Sequence, residues 1–154
     1  MTESSGPDSL LASAKATLRQ LMRQRLRSLP PGERTRASAG VIQILQSQPL
    51  WRSARRVAAF APRPDEPDLE PLLAASCAAG RAVYLPRSTP SGAGYQFARV
   101  HHWPGDLTAG AYGLREPGPH CAPLDNKQLD LVLVPGLAFG LGGQRLGRGK
   151  GYYD

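Results

Sequence analysis

The residues with the most chemistry to offer are crowded into positions 130–154, DLVLVPGLAFGLGGQRLGRGKGYYD. Leu131 to Val134 form an apolar run with the length and composition of a fully buried central strand. Pro135 and Gly136 then end any regular ladder. Gly140, Gly142, Gly143, Gly147, Gly149 and Gly151 follow, interleaved with Arg145, Arg148 and Lys150. Glycine lets the backbone approach an anion and turn its N–H groups inward as a nest. Arginine adds bidentate phosphate contacts and lysine a point charge. Tyr152 and Tyr153 come next, and Asp154 supplies a carboxylate where a phosphate-bound Mg2+ needs a ligand. The stretch is not GxxxxGK[ST], because Gly151 follows Lys150, and the alternate glycines 147, 149 and 151 do not fit GxGxxG. A bare glycine-rich loop is more often a mobile connection than a site. Three cations, two tyrosines and an aspartate within ten residues turn the balance toward polyphosphate binding.

The elements that must position this loop alternate in type. Residues 1–8 are polar and small and are expected to be disordered, leaving 9–154 as one α/β domain. From Ser9 to Leu29 the spacing of Leu11, Leu18, Leu21, Met22, Leu26 and Leu29 predicts an amphipathic helix. Its other face carries Lys15, Arg19, Arg23, Arg25 and Arg27, most of which read as a solvated surface. Lys15 and Arg19 lie one turn apart and project two cations to one side. Pro30-Pro31-Gly32 breaks this helix, and a second runs from Glu33 to Gln48 with Ala37, Val41, Ile44 and Leu45 inward. Trp51 reads as a core plug and Val57 to Ala61 as a short buried strand.

The loop Pro62 to Asp68 opens a helix over Leu69 to Ala79, with Asp68 as N-cap and Gly80 as C′. Loops at the carboxyl ends of parallel strands are where open α/β sheets place ligands. Glu66 is therefore either a partner for the helix dipole or a ligand contact. Arg81 to Leu85 and Tyr95 to Val100 read as strands paired through a hairpin, 119–126 as a linker, and 128–134 as the return to the central strand. The alternation predicts a largely parallel sheet between helical layers.

Composition narrows the function classes. No apolar run reaches membrane-span length and no secretory leader is legible, so a cytoplasmic protein is expected. Cys77 and Cys121 read as reduced thiols. The net charge of +7 admits a nucleic acid, an anionic small molecule or a merely basic surface. No aromatic-interleaved basic strand or zinc spacing supports the first, and an anionic small molecule fits better. His101, His102 and His120 lack a carboxylate at ligand spacing and read as surface or supporting groups.

RLGRGKGYYD at Arg145 to Asp154, preceded by Val134-Pro135-Gly136-Leu137-Ala138-Phe139, closely resembles the 5-formyltetrahydrofolate cyclo-ligase family, the methenyltetrahydrofolate synthetases. That resemblance implies a three-layer Rossmann-like sandwich related to sugar-phosphate isomerase and CoA-transferase folds. It implies that Lys15 and Arg19 reach ATP phosphates, joined by Arg145, Arg148, Lys150 and the backbone of Gly147, Gly149 and Gly151. Tyr152 and Tyr153 would be divided between packing and the folate or nucleotide, Glu66 would hydrogen-bond the pterin, and Asp154 would bind Mg2+. Tyr84-Leu85-Pro86 resembles a turn bordering the folate cleft, and Trp103 to Pro117 the family's W…GxxEP loop, where Trp103 and Tyr112 either contact folate or pack. The expected partners are 5-formyltetrahydrofolate and ATP, with no nucleic acid or membrane and a monomeric state.

Two departures stand against the family pattern. Gly140 follows Ala138-Phe139 where the family has an acidic or hydroxyl residue. The chain stops at Asp154, whereas cyclo-ligases continue with a helix, further strands and a second metal-binding carboxylate. The alternative expectation is therefore a truncated, non-catalytic member that binds nucleotide or folate.

Overall fold

Prolines set the helix starts. α1 (Pro7–Ser28), α2 (Pro31–Ser47) and α3 (Pro49–Ser53) each open on one, where the missing N–H costs nothing and φ is already helical. The computed structural model describes residues 7–89, 94–110, 113–124, 129–149 and 153, with side chains from Ser9 onward. They group into two compact units, Pro31–Val134 and a second combining Met1–Pro30 with Pro135–Asp154. Among the described residues no helix is long and apolar enough to cross a membrane.

In the larger unit β1 (Arg56–Ala58) runs parallel to β2 (Ala82–Ser88), with α4 (Glu70–Ala78) as the crossover, and β2 pairs antiparallel with β3 (Tyr95–Val100). A separate hairpin joins β4 (Leu107–Ala109) to β5 (Arg115–Pro117). β6 (Leu131–Val132) returns parallel to β1, so the sheet order is β3-β2-β1-β6. Two of its three pairings are parallel, as the alternating pattern predicted. The apolar run 131–134, however, is not a central strand in this sheet. It holds an edge, and Val132 is 40% exposed. The Asp130 carboxylate fixes this edge by accepting the N–H groups of Arg56 (2.8 Å) and Arg55 (2.9 Å). Those donors hold its carboxyl below the usual range.

Leu73, Val83, Leu85 and Val100 form the inner core, joined by Val41, Ile42 and Leu45 of α2. The inward face of α2 differs from the predicted one: Ser38 is buried, whereas Ala37 is exposed and Ile44 is 63% exposed. A serine is tolerated inside because its Oγ accepts the Asp68 N–H at 2.9 Å. α3 plugs the core as expected, with Trp51 buried and the Arg81 guanidinium 4.7 Å from its ring centroid. β2 runs past the expected stop at Leu85, Pro86 pairing with Phe97 and Ser88 with Tyr95, so Tyr84-Leu85-Pro86 lies within the strand and not at its end.

The second unit holds α1 and a hairpin of β7 (Ala138–Phe139) with β8 (Arg145–Leu146). α1 forms as predicted, but its apolar stripe is only partly covered. Met22, Leu26 and Leu29 are half-buried, whereas Leu11, Leu18 and Leu21 are exposed.

Candidate functional site

The glycine-rich stretch divides into two parts with different duties. Gly140 to Gln144 turn the β7–β8 hairpin, closed by hydrogen bonds from Gly140 N–H to Gln144 O (2.8 Å) and Gly143 N–H to Gly140 O (3.0 Å). Gly143 adopts φ +84°, the left-handed conformation such a turn requires. Beyond β8 the chain leaves the hairpin and meets α1. There Arg19 Nε donates to the Gly147 carbonyl at 3.0 Å and Arg23 Nη2 to the Arg148 carbonyl at 3.1 Å. Gly149 then takes φ +88°, and a Cβ on it would meet the Arg19 guanidinium at 3.4 Å. Arg145 Nη1 anchors to the Pro135 carbonyl at 3.2 Å.

The unit thus brings Arg19, Arg145, Gly147, Arg148 and Gly149 to one place, and Lys15 stands exposed one turn before Arg19. Tyr153 is half-buried; Lys150, Gly151, Tyr152 and Asp154 lie outside the described residues. Arg23 is the member that spacing could have revealed, since Lys15, Arg19 and Arg23 recur every fourth residue on one face. Among the described side chains of this unit there are Lys15, Arg19, Arg23, Arg25, Arg27, Arg145 and Arg148 but no carboxylate. That set suits a polyanion.

In the larger unit Glu66 stands in the wall of a cleft of about 570 Å³ between α2 and the loop leading to α4. Its carboxylate closes its own turn, accepting the Arg63 N–H at 3.1 Å while the Glu66 N–H donates to Arg63 O at 3.0 Å. The α4 amino end is served by Asp68, whose Oδ1 accepts the Glu70 N–H at 2.9 Å. The N-cap position falls on Leu69, which offers no side-chain cap, so Asp68 is not the N-cap that was expected and reaches the first helical N–H from one residue further out. Arg34 donates to Pro64 O at 2.6 Å and holds the loop against α2.

Glu70, at the same rim, forms an ion pair with Arg115 and accepts the Trp103 indole N–H at 3.5 Å. Trp103 also packs on the core, with the Arg115 guanidinium 5.7 Å from its ring centroid. Packing therefore accounts for Trp103; Tyr112 lies outside the described residues. Buried Glu116 of β5 accepts both the N–H and the hydroxyl of Ser88 at 3.0 Å, joining the two sheets.

Of the three histidines, His120 has a carboxylate at its ring that local spacing did not disclose, whereas His101 and His102 meet the same carboxylate through their backbone. Asp106 Oδ2 accepts the His101 N–H at 2.7 Å and the His102 N–H at 2.9 Å, and Oδ1 lies 3.2 Å from His120 Nε2. Burial alone would raise the Asp106 pKa. The two N–H donors and the His120 ring outweigh it and bring the value down to about 2.

Comparison with known proteins places the chain in a family. The model of the 5-formyltetrahydrofolate cyclo-ligase family matches residues 11–154. The chain is 32% identical to a mouse 5-formyltetrahydrofolate cyclo-ligase, covering 92% of this chain and 72% of that protein. It is 35% identical to the Mycolicibacterium smegmatis protein of the same name, covering 92% and 73%. The NMR structure of Aquifex aeolicus 5,10-methenyltetrahydrofolate synthetase superposes with a TM-score of 0.79 at 36% identity, over 90% of this chain and 69% of that one. The α/β fold is thus that of a known ligase lineage, and the chain belongs to the 5-formyltetrahydrofolate cyclo-ligase family.

Proposed function

We propose that this chain converts 5-formyltetrahydrofolate to 5,10-methenyltetrahydrofolate using ATP and Mg2+, releasing ADP and phosphate. The observation that carries this is the pair of tethers from Arg19 to Gly147 and from Arg23 to Arg148. They fix an arginine-rich loop to a basic helix face within a unit whose described side chains include no acid.

Phosphoryl transfer asks a protein mainly for positioning and charge stabilisation. The γ-phosphoryl passes to the N5-formyl oxygen, N10 closes on the activated carbon, and the former formyl oxygen departs within phosphate. Lys15, Arg19, Arg145, Arg148 and Lys150 hold the phosphates in this scheme, and the backbone of Gly147, Gly149 and Gly151 approaches them closely. Mg2+, when bound, would neutralise phosphate charge, and Asp154 is the carboxylate assigned to hold it. Glu66 orients the pterin in the cleft beside α2. Tyr152 and Tyr153 are assigned to nucleotide binding, and Tyr152 also to folate. A cytoplasmic monomer acting on small molecules, without nucleic-acid or membrane partners, is expected.

The test is the absorbance of methenyltetrahydrofolate formed from 5-formyltetrahydrofolate and MgATP. Product formation supports the proposal. Binding of MgATP or folate without product would leave a non-catalytic member, and neither binding nor product would overturn the assignment.

A further inference from the structure

The cluster of Asp106, His120 and Cys121 lies outside the machinery assigned to the ligase reaction. One oxygen of Asp106, the His120 ring nitrogen and the Cys121 sulfur all fall within 4.8 Å of one another. We propose that these three side chains bind a single zinc-class ion that joins the loop after β3 to the loop after β5.

The donor set selects the metal. A thiolate, an imidazole and a carboxylate suit Zn2+, whereas Mg2+ prefers oxygen ligands and water. Zinc bonds of about 2.0–2.3 Å place neighbouring donors roughly 3.3–3.8 Å apart in a tetrahedron. Asp106 Oδ1 and His120 Nε2 are already at 3.2 Å, and the Cys121 sulfur lies within 4.8 Å of a ligand atom of each.

The surroundings are braced as a metal site requires. Asp106 keeps Oδ2 on the N–H groups of His101 and His102, leaving Oδ1 for the ion. Arg87 Nη1 holds the carbonyls of Gly118 (2.6 Å) and Cys121 (3.1 Å), and the Cys121 N–H closes a turn onto Gly118 O at 3.0 Å. The imidazole lies over Gly118, where a Cβ would meet it at 2.7 Å. Cys121 is 3% exposed and its thiol rests 3.7 Å from the Asp106 carbonyl, whereas the His120 side chain is 59% exposed. Solvent therefore supplies the fourth ligand. On binding, the Cys121 thiol gives its proton to solvent and its sulfur lone pair to the metal.

The experiment is Co2+ titration of the metal-stripped full chain, followed by displacement with Zn2+. A thiolate-to-cobalt charge-transfer band, insensitive to excess Mg2+ and abolished by Zn2+, is expected. His120→Gln changes an exposed side chain and should weaken Co2+ binding by about tenfold or more. Cys121→Ser should remove the band, while Cys77→Ser and His101→Gln should leave band and affinity unchanged. The proposal is overturned by absence of the band in the wild type, by persistence at full affinity in His120→Gln, or by loss in Cys77→Ser.

Discussion

Arg19 Nε donates to the carbonyl of Gly147 at 3.0 Å, across 128 positions of sequence. One guanidinium is thereby both a tether for the loop and a cation beside it. Arg19→Ala removes both, and kcat/KM is expected to fall by about 2–4 kcal/mol in transition-state stabilisation, as for loss of one preorganised donor. Arg19→Lys restores charge without the directed Nε–H and should recover only part of the loss. Steady-state kinetics with ATP varied, alongside urea unfolding, checks this; a wild-type kcat/KM for Arg19→Ala would remove Arg19 from the site.

Gly149 and Gly143 make a controlled pair. Both have positive φ, +88° and +84°, so alanine at either strains the backbone by about 1–2 kcal/mol. Only at Gly149 does the added Cβ face Arg19, at 3.4 Å, whereas at Gly143 nothing lies within 4 Å. Both variants are expected to lose similar stability in denaturant, but only Gly149→Ala should raise the KM for ATP. Equal kinetic effects would mean that the hairpin and the loop beyond it respond as one piece.

The α/β class was legible because its signals are local: leucine spacing marks α1, Pro30-Pro31-Gly32 separates it from α2, and Gly80 takes φ +77° past α4. What escaped depends on pairings that no local pattern carries. Ser38 faces inward because Asp68, thirty residues on, donates to it, while apolar patterning favoured Ala37. The β7–β8 hairpin escaped because two-residue strands are too short to show alternation, so Gly140 to Gly143 read as ligand loop when they make a turn. Asp106 and His120 are fourteen residues apart and meet only through the β4–β5 hairpin. The residues proposed to hold phosphate, by contrast, are singled out by type and density within one short stretch.

Glu66 offers a separation of roles by isosteric replacement. Its carboxylate accepts the Arg63 N–H at 3.1 Å, which a glutamine carbonyl can also do. Glu66→Gln should therefore keep the loop and lose the charge-assisted contact proposed to folate, about 1.5–3 kcal/mol. The expected outcome is a KM for 5-formyltetrahydrofolate raised at least roughly tenfold, with the KM for ATP unchanged. Glu66→Ala should add a stability loss of about 1 kcal/mol as the turn loses its acceptor. Unchanged folate kinetics in Glu66→Gln would confine this residue to holding its loop.

Asp106 gives the fold an acid-sensitive joint. Its pKa is about 2 in the folded chain against 3.8 for an ordinary aspartate, so the folded state favours the carboxylate. A depressed pKa contributes stability that is fully present above the unfolded value. That contribution fades as pH falls from about 4 toward 2, because the unfolded chain takes up the proton first. The displacement corresponds to about 2 kcal/mol. Asp106→Asn keeps an acceptor for the His101 and His102 N–H groups but cannot titrate. It should be less stable than wild type at neutral pH, with the difference narrowing between about pH 4 and pH 2. Urea unfolding of both proteins across that range measures it, and a gap independent of pH would show that the joint holds by shape and not by charge.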